Sequence, residues 1–132
     1  MRCVFTKKDG EQWDATDGFP RPVHVLIEPG TVGSVGIAMG MQEIPPGSRT
    51  GLHTHRTGEE LIFFYQGRGR MQVGDDEMDV GPETAVLIPR GTPHNFVNTG
   101  TETVRLTWTF SPAGEHERFR NTERWKPVPA PA

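Results

Sequence analysis

The sequence has very little cysteine, since Cys3 is the only one in 132 residues. A single thiol excludes an internal disulfide framework and a thiolate zinc cluster. Long apolar runs are also missing, because no stretch approaches the roughly 20 consecutive apolar residues of a membrane helix. Residues 1–8 lack the apolar run of a secretory signal, so we expect a cytoplasmic protein.

An excess of positive charge is absent as well. Lys and Arg total 14 and Asp and Glu total 17, so the formal net charge is −3. This balance disfavours a positively charged surface that would bind nucleic acid or an anionic membrane, and we expect neither as a partner. Glycine and proline are abundant, at 16 and 12 residues, which argues against helix bundles and coiled coils.

Short runs of β-branched and aromatic residues recur between the glycines and prolines. The predicted strands are residues 23–27, 35–44, 61–65, 70–73, 77–80, 85–88, 94–97 and 103–110. Many short strands at this spacing predict an all-β sandwich or barrel. Only residues 112–125 have a helical pattern. Residues 127–132 predict a flexible Pro/Ala tail, so a single domain is expected over residues 1–126.

The predicted strand at 61–65 is apolar on both faces. Because side chains alternate along a strand, Ile62 shares a face with Glu60, whereas Leu61, Phe63 and Tyr65 share the opposite face. That outer triplet needs a cover, which is either the chain's own N-terminal strands or the same surface of a second subunit. A chain of 132 residues has little to spare once a barrel is built, so we expect a homodimer.

Four side chains with metal-binding chemistry are spread along the middle of the chain. His53 and His55 stand two residues apart, so on a strand their imidazoles point the same way. Glu60 follows five residues later, and His94 opens another strand. Taken singly, each is a weak signal, since such residues more often fill a turn or a core position. Together they suit one divalent transition metal: Fe, Mn, Ni, Zn, Co or Cu.

The spacing of these residues resembles the two motifs of the cupin family. The first motif places five, one, four and six residues between Gly47, His53, His55, Glu60 and Gly67. The second places one, two and three residues between Pro89, Gly91, His94 and Asn98. The chain therefore resembles a small single-domain cupin. This resemblance implies an all-β double-stranded β-helix, or jelly-roll barrel, with a short C-terminal helix.

The resemblance also implies a ligand set, which comprises His53, His55, Glu60 and His94. Glu59 is the alternative carboxylate, at a spacing that some cupins use. The six residues between Glu60 and Gly67 favour Glu60, as does its inward alternation. One position departs from the family pattern: Glu83 stands where a glycine usually opens the second motif. We expect the turn there to be rebuilt.

The pocket walls and the polar groups near the metal are harder to assign. Inward-facing candidates are Ile62, Phe64, Phe96, Met39, Met41, and either Trp108 with Phe110 or their alternates Arg105 and Thr107. Phe119 and Trp125 could belong to a lid over the barrel mouth or to a surface helix. No dedicated acid or base stands out among the available polar side chains, which are Tyr65, Glu59, Gln42 and Arg105.

Cupins similar to this chain include dioxygenases, decarboxylases, isomerases, lyases and epimerases, and the fold does not choose among them. We expect a metal-dependent enzyme for a small oxygen-bearing organic substrate that chelates the metal. Iron or copper would favour dioxygenation of an enol or diketone. Manganese, nickel or zinc would favour Lewis-acid enolisation, decarboxylation or hydrolysis. The alternatives are a non-catalytic cupin that binds a metal or a small molecule, and a cupin whose metal is purely structural.

Overall fold

Antiparallel strands dominate residues 2–129, the part of the chain that the computed structural model describes. The strands are β1 (Glu11–Ala15), β2 (Val23–Ile27), β3 (Ala38–Ile44), β4 (Glu59–Gln66), β5 (Gly69–Val73), β6 (Asp76–Val80), β7 (Thr84–Ile88), β8 (His94–Val97), β9 (Val104–Ser111) and β10 (Trp125–Val128). The helices are short: 3₁₀ helices at Lys7–Asp9 and Glu115–Arg120, and an α-helical turn at Pro29–Val32. None of the described helices is long and apolar enough to cross a membrane.

The strands form two sheets that face each other across an apolar core. Seven strands are ordered β10-β1-β2-β3-β9-β4-β7, and three are ordered β6-β5-β8. The inward residues of β4 and β9 alternate with outward ones, and Phe64 of β4 meets Phe96 of β8 with ring centroids 5.1 Å apart. The predicted all-β jelly roll is confirmed.

The C-terminal segment differs from its prediction. Residues 112–125 do not form one helix, because the helix covers only Glu115–Arg120 and Trp125 opens β10. Pro127 lies opposite Trp13 of β1, within an edge strand, where a residue without an N–H is tolerated. Residues 127–128 of the predicted tail thus lie in a paired strand, while residues 130–132 lie outside the described part.

The turn that opens the second motif also differs from its prediction. It is not rebuilt, because Glu83 itself adopts the left-handed conformation, with φ of 61°, and its N–H donates to the Phe64 carbonyl at 2.7 Å. For a residue with a Cβ this conformation costs about 1 kcal/mol. At Gly67, where φ is 83°, an added Cβ would lie 2.8 Å from a Val104 methyl carbon, so glycine is required there.

An apolar patch lies on the outer side of the larger sheet. Leu61 is 48% exposed, Phe63 41% and Leu87 56%, and Leu61 pairs directly with Leu87 across β4 and β7. The N-terminal strands β1 and β2 extend the same sheet toward its other edge. Within residues 2–129 they therefore do not cover this patch.

Candidate metal centre

His53 and His94 are joined through their backbones. The N–H of His53 donates to the His94 carbonyl at 3.1 Å, and the reverse bond measures 2.9 Å. This is an isolated bridge within a loop, so the His53–His55 pair does not lie on a strand as predicted. The loop is fixed instead by a second contact, in which the Gly91 N–H donates to the His55 carbonyl at 2.7 Å.

The four side chains predicted as ligands converge at one point. Potential ligand atoms of His53, His55, Glu60 and His94 all lie within 4.8 Å of one another. Oε1 of Glu60 is 3.2 Å from Nε2 of His55 and 3.3 Å from Nε2 of His94. The alternative carboxylate, Glu59, is exposed and lies outside this group.

Backbone carbonyls orient two of the imidazoles. Nδ1 of His53 lies 2.7 Å from the Gly51 carbonyl, and Nδ1 of His94 lies 2.9 Å from the Thr92 carbonyl. A carbonyl only accepts, so each Nδ1 carries the proton and each Nε2 keeps a free lone pair. Nε2 of His94 is buried and has no hydrogen-bond partner among the described residues. A bare nitrogen beside a carboxylate fits a bound cation.

Glu115 orients the third imidazole from the C-terminal 3₁₀ helix. Its Oε2 is 3.4 Å from Nδ1 of His55. Its Oε1 accepts from the N–H and from the hydroxyl of Thr57, both at 2.8 Å. A proton on Nδ1 again leaves Nε2 of His55 free, facing Glu60. Glu115 is not among the residues that the sequence predicts for the site, because nothing in its local pattern points to His55.

The protonation states of the centre suit metal binding. Burial, with smaller contributions from Arg118 and His94, lowers the pKa of His53 from 6.5 to about 3. Burial raises the pKa of Glu60, but without a cation, hydrogen bonds and positive charge from His55 and His94 rings that carry a proton on Nε2 outweigh this effect and lower the pKa to about 2. A metal at this point would take the place of those protons. The group therefore offers a neutral imidazole and an ionised carboxylate near neutral pH, which are the forms that bind a metal.

Apolar and aromatic side chains wall the cavity next to this group. Ile62, Phe96, Trp108 and Phe110 line it, as their alternation predicted. Phe64 is buried in the core instead, and Met39 and Met41 lie on the outer side of β3. On the neighbouring strand β9, Thr107 lies opposite Met41 and Arg105 lies opposite Glu43. Among the polar candidates, Gln42 lines the cavity, whereas Tyr65, Glu59 and Arg105 do not.

Residues 115–125, the C-terminal strap, contribute Arg118, Phe119 and Trp125 to the wall of the cavity. Phe119 and Trp125 are buried and meet edge to face at 4.9 Å, and Phe119 also packs on Trp108 at 5.4 Å. The cavity beneath has a volume of about 30 Å³, close to that of one water molecule. The positions of Phe119 and Trp125 therefore fit the lid hypothesis better than the surface-helix hypothesis.

Comparisons with known proteins agree with this architecture. Residues 40–110 match the family model described as "Cupin domain". An uncharacterised protein of Methanocaldococcus jannaschii, MJ1618, is 30% identical over 95 residues, which are 72% of this chain and 76% of that protein. The tetracenomycin polyketide synthase protein TcmJ of Streptomyces glaucescens is 25% identical over 107 residues, 81% of this chain and 71% of TcmJ.

A solved structure shows the same fold at low sequence identity. The predicted oxalate decarboxylase of Thermotoga maritima superposes with a TM-score of 0.73 at 16% identity, over 83% of this chain and 99% of that one. At this identity the likeness concerns the fold alone.

Proposed function

This chain belongs to the cupin family, and on that premise we propose that it is a metal-dependent enzyme for a small oxygen-bearing organic substrate. The observation that carries the proposal is the meeting of three imidazoles and one carboxylate beneath an aromatic wall, with the buried Nε2 of His94 making no hydrogen bond within residues 2–129. Such a donor set is costly to bury unless a cation completes it.

One divalent transition metal would be held by His53, His55, Glu60 and His94. When bound, it would supply a Lewis acid for a chelated oxygen, or a site for dioxygen if it is iron or copper. The protein's own part is orientation and exclusion of water. Glu115 fixes the His55 ring, and the buried Trp108 and Phe110 keep the cavity dry.

The relationship to TcmJ supports a substrate with several carbonyl oxygens. TcmJ is named as a polyketide synthase protein, and polyketide chains carry oxygens on alternate carbons. A 1,3-dicarbonyl chelates a metal through two oxygens and has acidic protons between them. Among the reactions considered, we therefore favour enolisation of such a substrate, with dioxygenation next.

A second candidate is a cupin that binds its ligand without turnover. The observation in its favour is the small free volume beside the ligand group, about 30 Å³, which has room for little more than a water molecule. Turnover therefore requires an opening motion, whereas simple retention of a metal does not.

Exchange of carbon-bound hydrogen separates the two candidates. The protein, loaded in turn with Zn, Ni, Mn and Fe, is incubated with pentane-2,4-dione in D₂O, and loss of the proton signal between the carbonyls is followed by NMR. The enzyme proposal predicts exchange above buffer and free metal, and loss of it on chelation. Oxygen uptake by the iron form identifies dioxygenation. Binding without exchange or oxygen uptake across 1,3-dicarbonyls contradicts the enzyme proposal and supports the binding module.

We also propose that the protein is a homodimer in the cytoplasm. The exposed patch of Leu61, Phe63 and Leu87 supports the dimer, because the described N-terminal strands leave it uncovered. The same sheet face of a second copy would cover it across a two-fold axis. The cytoplasmic location rests on the sequence argument alone.

A further inference from the structure

A second, larger chamber adjoins the metal cavity on the side of His53. Its volume is about 320 Å³, within the usual size range of small-molecule sites. The walls that it shares with the metal cavity are Arg21, Thr50, His53, Arg118 and Trp125. The two spaces are therefore neighbours across these side chains, and a molecule in the outer chamber lies next to the ligand group.

Arg118 stands between the two spaces without a counter-ion. Among residues 2–129, the ion pairs of the arginines include no carboxylate for Arg118. Its guanidinium carbon lies 5.9 Å from the centroid of the Phe119 ring. Arg21, in contrast, holds Asp17 through two bonds of 2.9 and 3.0 Å. Arg118 is half-buried, so water replaces a missing partner only in part.

The other charges of the region do not neutralise Arg118. Arg124 adds a second guanidinium to the chamber. The chamber is also lined by two carboxylates, of which Asp17 is held by Arg21, so Glu123 is left. Burial and the charges of Arg21 and Arg124 lower the pKa of Arg118, against opposition from Glu60 and Glu115.

Those two opposing carboxylates have other partners. Glu60 faces His55 and His94, and Glu115 is held by Thr57. A divalent metal at the centre would add further positive charge beside the chamber. The chamber is therefore short of negative charge at the place where Arg118 enters it.

We propose that Arg118 and the outer chamber form a binding subsite for the carboxylate group of a small organic acid. This deepens the proposed function, on which it rests, by making the oxygen-bearing substrate an organic anion. A guanidinium binds a carboxylate through two parallel hydrogen bonds, which fixes orientation as well as charge. Held in this way, the acid lies in the outer chamber beside His53, next to the ligand group.

Titration calorimetry with benzoate tests the subsite, with benzamide as a neutral molecule of the same shape. Both are titrated into chelator-treated protein and into the zinc-loaded protein. The variants are Arg118→Gln, Arg118→Lys and, as a control, Arg90→Gln, which removes an exposed charge elsewhere. Metal content and melting temperature are measured for each variant, so that loss of the centre or of the fold is seen separately.

We expect the wild type to bind benzoate at least tenfold more tightly than benzamide. Arg118→Gln should lose about tenfold in benzoate affinity, as the loss of one charge-assisted contact gives. Arg118→Lys should keep part of that affinity, and Arg90→Gln all of it. Equal binding of benzoate and benzamide, or equal benzoate affinity for the two Gln variants, overturns the subsite.

The chelator-treated protein separates this inference from the proposed function. Benzoate selectivity that depends on Arg118 and survives without metal supports the subsite, even if the metal-loaded protein shows no turnover. The opposite result is metal-dependent turnover that Arg118→Gln leaves unchanged, with equal binding of benzoate and benzamide. That result overturns the subsite and leaves the proposed function standing.

Discussion

His116 and Glu28 meet in the interior although 88 positions separate them, with Nε2 of His116 2.9 Å from Oε2 of Glu28. The Gly114 N–H donates to Nδ1 of His116 at 3.3 Å, so Nε2 carries the proton and donates to the carboxylate. Both side chains are buried. Their contact ties the C-terminal strap to the connection that follows β2, and thereby holds Arg118 and Phe119 over the cavity.

Glu28→Gln should destabilise the protein at neutral pH by about 1–2 kcal/mol, the usual effect of losing a charged hydrogen bond. Burial raises the pKa of Glu28, but hydrogen bonds from His116 and the Gly30 amide offset it, so the pKa lies below its ordinary value of 4.5. A depressed carboxyl pKa stabilises the fold above pH 4.5 and loses that effect as pH falls through the folded value.

Urea unfolding between neutral pH and pH 3 checks this linkage. The stability gap between wild type and Glu28→Gln should shrink as the pH falls. Glu102→Gln, an exposed change, is the matched control and should follow the wild type. A gap that stays constant down to pH 3 would show that the ionised form of Glu28 is not what stabilises the strap.

Glu115→Gln should weaken zinc binding by 10- to 100-fold, the range typical for a lost partner of a ligating histidine. The reason is that Glu115 holds the proton of His55 on Nδ1. Affinity is measured by competition with a chromophoric chelator. Glu117→Gln, on the exposed side of the same helix, is the control. Equal affinities of the two variants would remove Glu115 from any orienting role.

Glu83→Gly should stabilise the fold by about 0.5–1 kcal/mol, because glycine adopts the left-handed conformation without strain. The same change at Glu77, within strand β6, should destabilise it. Thermal melts of the two variants and the wild type provide the comparison. A lower melting temperature for Glu83→Gly would mean that the Glu83 side chain contributes more than its backbone costs.

Phe63→Glu should convert a dimer into a monomer without changing metal content. Light scattering of the wild type should give twice the chain mass of 14.7 kDa, and the variant should give the single mass. Val35→Glu is the control, since Val35 is 99% exposed and lies outside the patch. A wild type that scatters as a monomer at tens of micromolar would disprove the dimer.

The choice of Glu60 over Glu59 shows what alternation alone predicts. Glu60 shares the inward face with Ile62, and the structure buries both while Glu59 stays exposed. β1 and β10 escaped prediction because their residues, EQWDA and WKPV, are mostly polar or include proline. They are strands because β1 pairs with both β10 and β2. Such pairing between residues far apart in the sequence cannot be predicted from the local pattern.

The positions of the C-terminal strap residues could not be predicted from the sequence for a related reason. Glu115 lies 58 positions from Thr57, which fixes it, and a 3₁₀ helix of six residues has no periodicity to show which side chains face inward. The sequence marks Phe119 as a candidate lid residue but assigns no role to Arg118 beside it. Only the folded chain reveals that Arg118 enters the cavity.

Metal content, measured by elemental analysis on protein purified without added metal, tests the central claim most directly. The wild type should carry one divalent transition metal per chain, while His53→Ala, His94→Ala and Glu60→Gln should lose it. Glu59→Gln and His24→Ala, which alter the neighbouring carboxylate and a buried histidine elsewhere, should keep it. A wild type free of metal that also fails to take it up, or full occupancy in His53→Ala and His94→Ala, would contradict the account.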